Sequence, residues 1–308
     1  MITFAGQISR GNIGVHSSRL IGCEIPVHFH QLIMNMRLKF LLLPVLGMLL
    51  QHLAVAQSYG EIGVSAGGSY YLGDLNPGKH FLLTKPAFGA FVRHNFNDRL
   101  AVRGGVMFGS VEGDDFQSKV NLQRGLNFHS QITDISATFE FNFFEYFIGS
   151  LRHFVTPYMY AGGSVLFFNP RATYDGATYE LHGMATEGQG SAVYPDRKIY
   201  NRTVFAIPFG IGVKYSLNRF LGASLDWGMR KTFTDYIDDV STTYYLDLNP
   251  ADPGSVSPGQ LVSDPTLNHR VGMQRGNSEY NDWVSFVTLS ITLRLNYLEN
   301  ERCLNPYY

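Results

Sequence analysis

Between Trp283 and Tyr297 the chain alternates with a period of two. The odd positions read Trp283, Val287, Leu289, Ile291, Leu293, Leu295 and Tyr297, with Ser285 the exception; Thr288, Ser290, Thr292, Arg294 and Asn296 stand between them. Successive side chains of a strand point to opposite faces, so this run specifies a strand with one apolar and one polar face. About 9–11 such residues cross a bilayer at the usual tilt. The stretch therefore predicts a membrane strand whose greasy face meets lipid.

Seven further segments follow the same rule. The first covers Glu61 to Tyr71, with Ile62, Val64, Ala66 and Tyr70 on one face; the second covers Ala87 to Phe96. The third presents Leu100, Val102, Val106 and Phe108. The fourth sets Ile135, Ala137, Phe139, Phe141 and Phe143 against Asp134, Ser136, Thr138, Glu140 and Asn142. The fifth, around Pro157 to Phe168, is the least regular. The sixth shows Phe205, Ile207, Phe209, Ile211, Val213 and Tyr215 outward, and the seventh Leu221, Ala223, Leu225, Trp227 and Met229. Connections alternate: 95–99, 144–153 and 217–219 are short, whereas 72–86, 112–126, 169–202 and 233–281 are long and rich in Gly, Pro and Asp. Eight strands with turns on one rim and loops on the other predict an all-β, eight-stranded antiparallel transmembrane barrel. That topology puts the termini and short turns in the periplasm, the long loops outside the cell, and outer-membrane lipids around the wall. Lipid leaves no other way to satisfy the backbone of such strands.

The amino-terminal region fits export. Met34 to Lys39 supply a basic start, Phe40 to Leu50 an apolar core, and Ala54-Val55-Ala56 a small-residue cleavage site before Gln57. The expected organisation is an upstream extension over 1–33 outside the true product, a signal peptide over 34–56, and the barrel over 57–308. Cys23 then leaves with the signal, so Cys303 has no internal disulfide partner, and His28 and His30 are given no metal role. Lys+Arg number 24 against 25 Asp+Glu, a balance that offers no basic patch for nucleic acid.

The phase that turns apolar residues outward turns charges inward. Glu61, Arg93, Arg103, Asp134, Glu140, Lys214, Asp226, Arg230 and Arg294 all fall on the lumen face. A charge facing lipid at mid-depth costs about 2–4 kcal/mol, which supports this phase. An eight-stranded barrel is just wide enough for side chains to fill, so a packed polar lumen is expected in place of a pore. No enzyme is expected and no cofactor is called for. His129-Ser130 resembles the pair used by lipid-deacylating barrels, but neighbours on a strand face opposite ways and cannot form a dyad. Asp235, Asp238 and Asp239 could supply oxygen ligands to calcium, or could answer Arg230 and Lys231. The stretch Thr186-Glu187-Gly188-Gln189-Gly190 suits a loop turn and suggests no chemistry.

Several stretches in order resemble one family. They are Glu61-Ile62-Gly63, Tyr71-Leu72-Gly73-Asp74-Leu75-Asn76, Phe139 to Phe144, Phe168-Asn169-Pro170, Thr186 to Gly190, Ile207 to Tyr215, and Phe233 to Thr242. Over residues 59–297 the chain is similar to the PorG-like outer-membrane barrels of Bacteroidetes, which are associated with the type IX secretion system. The resemblance implies a non-catalytic accessory of that machine, contacting a periplasmic ring made of a lipoprotein and its partner; it implies no particular functional residue. Two other functions remain: a stand-alone surface barrel whose loops bind a ligand or host component, and an outer-membrane lipid or peptide hydrolase.

Overall fold

The computed structural model describes residues 59–246 and 256–295. The expectations for residues 1–33 and 34–56, and both cysteines, lie outside the described residues. The strands are β1 (Tyr59–Leu72), β2 (Lys85–Asn95), β3 (Leu100–Asp114), β4 (Asn127–Asn142), β5 (Val155–Tyr174), β6 (Ala177–Glu180), β7 (Thr203–Ser216), β8 (Leu221–Thr232) and β9 (Trp283–Leu295). All pairings are antiparallel. β1 bonds to β2 on one side and to β9 on the other, and β4 with β5 completes a closed ring of eight. The short β6 lies outside that ring, as a hairpin partner of the end of β5. Closure leaves no unpaired edge.

The two-residue period governs burial. In β9, Leu289, Ile291 and Leu293 are exposed on the outer wall while Thr288, Ser290 and Thr292 are buried. In β4, Phe139 is 70% exposed and its neighbour Glu140 is 1% exposed. Ile62, Val64, Phe88, Val92, Ile135, Phe205, Ile211 and Leu225 extend the outer apolar surface around the barrel. A soluble monomer rarely shows a contiguous apolar patch above a few hundred Å². Ser285, the exception in the β9 pattern, is fully buried on the outward phase. Its hydroxyl accepts the Trp227 indole N–H at 3.1 Å and donates to the Gly228 carbonyl at 3.1 Å. Tyr70 is buried on the same outer phase because His80 and Phe81 fold back across it and Trp227.

The two rims are built differently. At two of the short turns an asparagine makes the bend: Asn97 accepts the backbone N–H of Arg99 and Leu100, and Asn218 those of Phe220 and Leu221. This is the Asx-turn device. The third connection, 143–154, tucks buried Tyr146 and Ile148 into the mouth, where Arg294 donates to the Ile148 carbonyl at 3.3 Å. On the opposite rim β3, β4 and β5 run 15, 16 and 20 residues, beyond the roughly 10 a crossing needs. The expected loops 112–126 and 169–202 therefore begin as strand, a correction that puts a raised wall under the loops. Two short helices, α1 (Asp115–Ser118) and α2 (Pro258–Ser263), lie among those loops.

The lumen is polar over only part of its length. Towards the long-loop rim the inward face becomes an apolar core of Leu75, Phe128, Ile132, Leu166, Phe168, Ile237, Val284 and Phe286. The expectation of a polar interior throughout is corrected accordingly. Near the loops, inward side chains meet other loops, and packing there is apolar.

Candidate functional site

The ionic part of the lumen centres on Glu140. Its carboxylate takes Lys214 at 2.6 Å, Arg93 at 2.8 Å and Arg103 at 3.2 Å. Arg93 also donates to Glu61 at 2.7 Å, and Asn95 donates to the other Glu61 oxygen at 3.0 Å. Asp226 receives the Tyr158 hydroxyl at 2.7 Å and Thr288 at 2.9 Å, with Arg103 at 3.9 Å. Arg230 and Asp134 form a separate pair at 3.3 Å. Arg294 sits at the short-turn mouth, its guanidinium 4.0 Å from the Phe147 ring centre and 5.3 Å from that of Tyr59. Removing charges from water is costly, and mutual pairing with further hydrogen bonds offsets that cost.

Local sequence explains how so much fits. In Ile207 to Tyr215 the inward positions include Gly210, Gly212 and Lys214; a Cβ at Gly212 would stand 2.6 Å from the Tyr158 ring. The glycines make room for the tyrosines, and Lys214 crosses to Glu140 and to the Asn142 side-chain oxygen, 2.9 Å away. A cavity of about 30 Å³ remains beside Arg103, Tyr160, Asp226 and Arg230, room for about one water.

A second polar site caps the long-loop rim. Glu187 accepts the N–H groups of Ser241 and Thr242 at 2.9 and 3.0 Å, the Thr242 hydroxyl at 2.6 Å, and Arg275 at 3.0 Å. Arg275 also donates to the carbonyls of Ser263 and Asp239. Arg124 grips Asp115 with two bonds of 2.8 and 2.6 Å and reaches the carbonyls of Asp74 and Arg275. The Thr186–Gly190 and Phe233–Thr242 stretches thus bind one another through Glu187. Sequence reasoning missed this, and the only visible signal was an isolated acid among glycines.

The three aspartates weighed for calcium do not converge. Asp239 accepts Thr186 and the Tyr200 hydroxyl, Asp238 accepts Tyr71 and the Val240 N–H, and neither oxygen of Asp235 completes a hydrogen bond. Among the described residues no group of His, Cys, Asp or Glu is arranged to hold a metal ion. Burial raises all three carboxyls, Asp239 to about 6 despite Arg275 and Asp235 to about 9 with Asp238 adding to the effect. Ser130 is buried and its Oγ accepts the Asn169 N–H, while His129 lies on the other phase of β4, so the pair forms no dyad.

Comparison with known proteins adds a family. A family described as domain of unknown function DUF6089 matches residues 39–247. No curated protein matches. Among solved structures, Ail of Yersinia pestis aligns at 9% identity and a TM-score of 0.39, over 78% of this chain and 99% of that one. Neisserial surface protein A aligns at 8% and 0.38, over 78% and 99%. OprG of Pseudomonas aeruginosa aligns at 11% and 0.33, over 77% and 97%.

Proposed function

The chain belongs to the DUF6089 family, and from that premise we propose that it is a non-catalytic outer-membrane barrel acting as a scaffold of the type IX secretion system. The observation that carries the scaffold half is the filled interior. A translocating chain would have to displace Tyr146 and Ile148 at one mouth, the Glu140 network in the middle, and the apolar core and cap at the other. Any contribution then comes from the rims. In the proposed orientation the Asx turns and the 143–154 segment face the periplasmic ring lipoprotein and its partner, and the Glu187-centred cap faces outward. The link to secretion rests on the resemblance of the Glu61, Tyr71, Glu140, Lys214 and Phe233–Thr242 motifs to PorG-like barrels.

Deleting the gene should abolish export of type IX cargo, and the tagged protein should copurify with the ring proteins from native membranes. Purified protein in planar bilayers should give no large, stable conductance. Normal export in the deletion strain would overturn the secretion role, and a wide stable pore would overturn the scaffold. The ordered hydrogen bonding of the cap favours a second reading, a stand-alone barrel whose loops bind a ligand. That reading expects normal export and no ring proteins in the pull-down.

A further inference from the structure

The Tyr71 hydroxyl lies between two buried carboxyls, 2.6 Å from Oδ2 of Asp238 and 2.7 Å from Oδ1 of Asp282. A phenol has one proton to donate. It can satisfy one of these contacts; the other is a hydrogen bond only if that carboxyl itself carries a proton and donates to the phenol oxygen. Tyr71 and Asp282 are wholly buried and Asp238 is 1% exposed, and at 2.6 and 2.7 Å both contacts are direct, so the second proton must sit on one of these three groups. The remaining oxygens are used: Asp282 Oδ2 accepts the Ile237 N–H and Asp238 Oδ1 the Val240 N–H, both at 2.9 Å.

The surrounding charges leave this proton in place. Arg124 is spent on Asp115, Arg275 on Glu187 and Asp239, and His269 on Asp264. Asp74, Asp235, Asp238 and Asp282 have no ion-pair partner among the described residues. Asp74 spends one oxygen on the Asn277 N–H. Asp235 is 7% exposed, and neither of its oxygens completes a hydrogen bond, although Ser241 lies near enough to lower its pKa somewhat. Arg124 and Arg275 lie near enough to favour ionisation of Asp74, and Arg124 also senses Asp238, but both guanidiniums are already paired to other acids, so four crowded carboxyls cannot all be ionised in a closed, buried cap.

We propose that the loop cap is an acid-locked latch, in which Asp238 and Asp282 share a proton through Tyr71 and the cap loosens as that proton is lost. The latch ties the end of β1 to the 233–246 segment and to the residue preceding β9, so its release frees the loops and leaves the wall ladder intact. It stands on the cap alone and does not depend on the secretion role. The sign follows from linkage. Burial raises Asp74, Asp235, Asp238 and Asp282 above the ordinary carboxyl range, with neighbouring acids adding to it. A raised carboxyl stabilises the closed state fully below its ordinary pKa, and that stability is lost as pH rises towards the raised value. The window therefore opens above about pH 4, and Asp235, pushed up to about 9, carries it well into the alkaline range.

Hydrogen exchange on the full chain in lipid, run from about pH 5 to about pH 10 and corrected for intrinsic rates, reads this directly. Protection of the Ile237 and Val240 amides should fall about tenfold per pH unit wherever the closed cap holds one more proton than the open one. Wall amides such as Gly212 should not follow. Asp282→Asn supplies a permanently neutral, donating partner, so the slope should flatten while protection at low pH is kept. Infrared spectra at neutral pH should show a protonated carboxylic acid C=O stretch that weakens in the same variant. Protection that stays flat with pH in the natural sequence, or an Asp282→Asn slope equal to it, would overturn the latch. Recovery of alkaline protection by calcium would also overturn it, because the acids would then form a cation site.

Discussion

The lumen and the cap both bury ionisable groups, and they balance them in opposite ways. Around Glu140 each acid meets a cation: Glu61 has Arg93, Asp226 has Arg103, Asp134 has Arg230, and Glu140 has three. In the cap Glu187 and Asp115 are matched by arginines, while Asp74, Asp235, Asp238 and Asp282 are not. The first arrangement sets opposite charges against one another on a continuous ladder. The second depends on protons and on loops that can part from the wall separately. Rigidity thus belongs to the crossing region, and responsiveness to the rim.

The largest effect should come from breaking the lumen balance. Glu140→Ala leaves Lys214, Arg93 and Arg103 short of their common partner, and stranding buried charge costs about 3–5 kcal/mol. The midpoint of urea unfolding, read by the mobility of folded barrel on unheated gels, should drop sharply. Glu140→Gln keeps the shape but not the charge and should recover little. Full recovery by glutamine would mean that hydrogen bonding, and not charge, holds the centre.

Next in size is the outer wall. Ile291→Arg places a charge against lipid, at about 2–4 kcal/mol near mid-depth, and should reduce assembled barrel in membranes. Thr292→Ser, on the inward face, should leave assembly unchanged. Equal outcomes at these neighbouring positions would reverse the inside and outside assigned to β9.

Such contrasts were legible in the sequence because a strand writes its environment at every second residue. The β9 alternation, the inward Glu140 and Lys214, and the closing of eight strands all follow from that period. The apolar upper lumen was missed, although Val284 and Phe286 stand at even positions beside odd Trp283 and Val287. A run that is apolar on both phases marks where the inner face meets packed loops. Glu187 was not legible. Its partners Ser241 and Thr242 lie more than 50 residues away in loops without periodicity, and only the folded chain brings them together. Tyr71 and Asp282 look ordinary for the same reason: the acid–phenol–acid contact joins positions 211 apart.

A smaller, local effect should distinguish the cap from the wall. Glu187→Ala removes the acceptor of the Ser241 and Thr242 amides and strands one side of Arg275. Each lost buried hydrogen bond is worth about 1–3 kcal/mol where the remaining partner stays buried. Protection at these amides should fall, and protease should cut within 233–246, while the urea midpoint of the barrel holds. A matching drop in the midpoint would show that cap and wall unfold as one unit.

The smallest expected effect tests where wall ends and cap begins. The Trp227 indole N–H reaches the Tyr70 hydroxyl at 2.9 Å and the Ser285 hydroxyl at 3.1 Å, and Tyr70 in turn contacts His80 Nδ1 at 3.1 Å. This chain runs along the outer surface and fastens the β1–β2 loop to the wall. Trp227→Phe keeps an apolar ring and removes the donor, a loss of about 0.5–1.5 kcal/mol. Ser285 retains its bond to the Gly228 carbonyl, so the ladder between β8 and β9 should hold and global stability should change little. The loss should appear as faster exchange across residues 77–84. If Glu187→Ala loosens the same segment as strongly, the loop answers to the cap; if only Trp227→Phe does, the outer wall holds it and the acid latch acts on the inner loops alone.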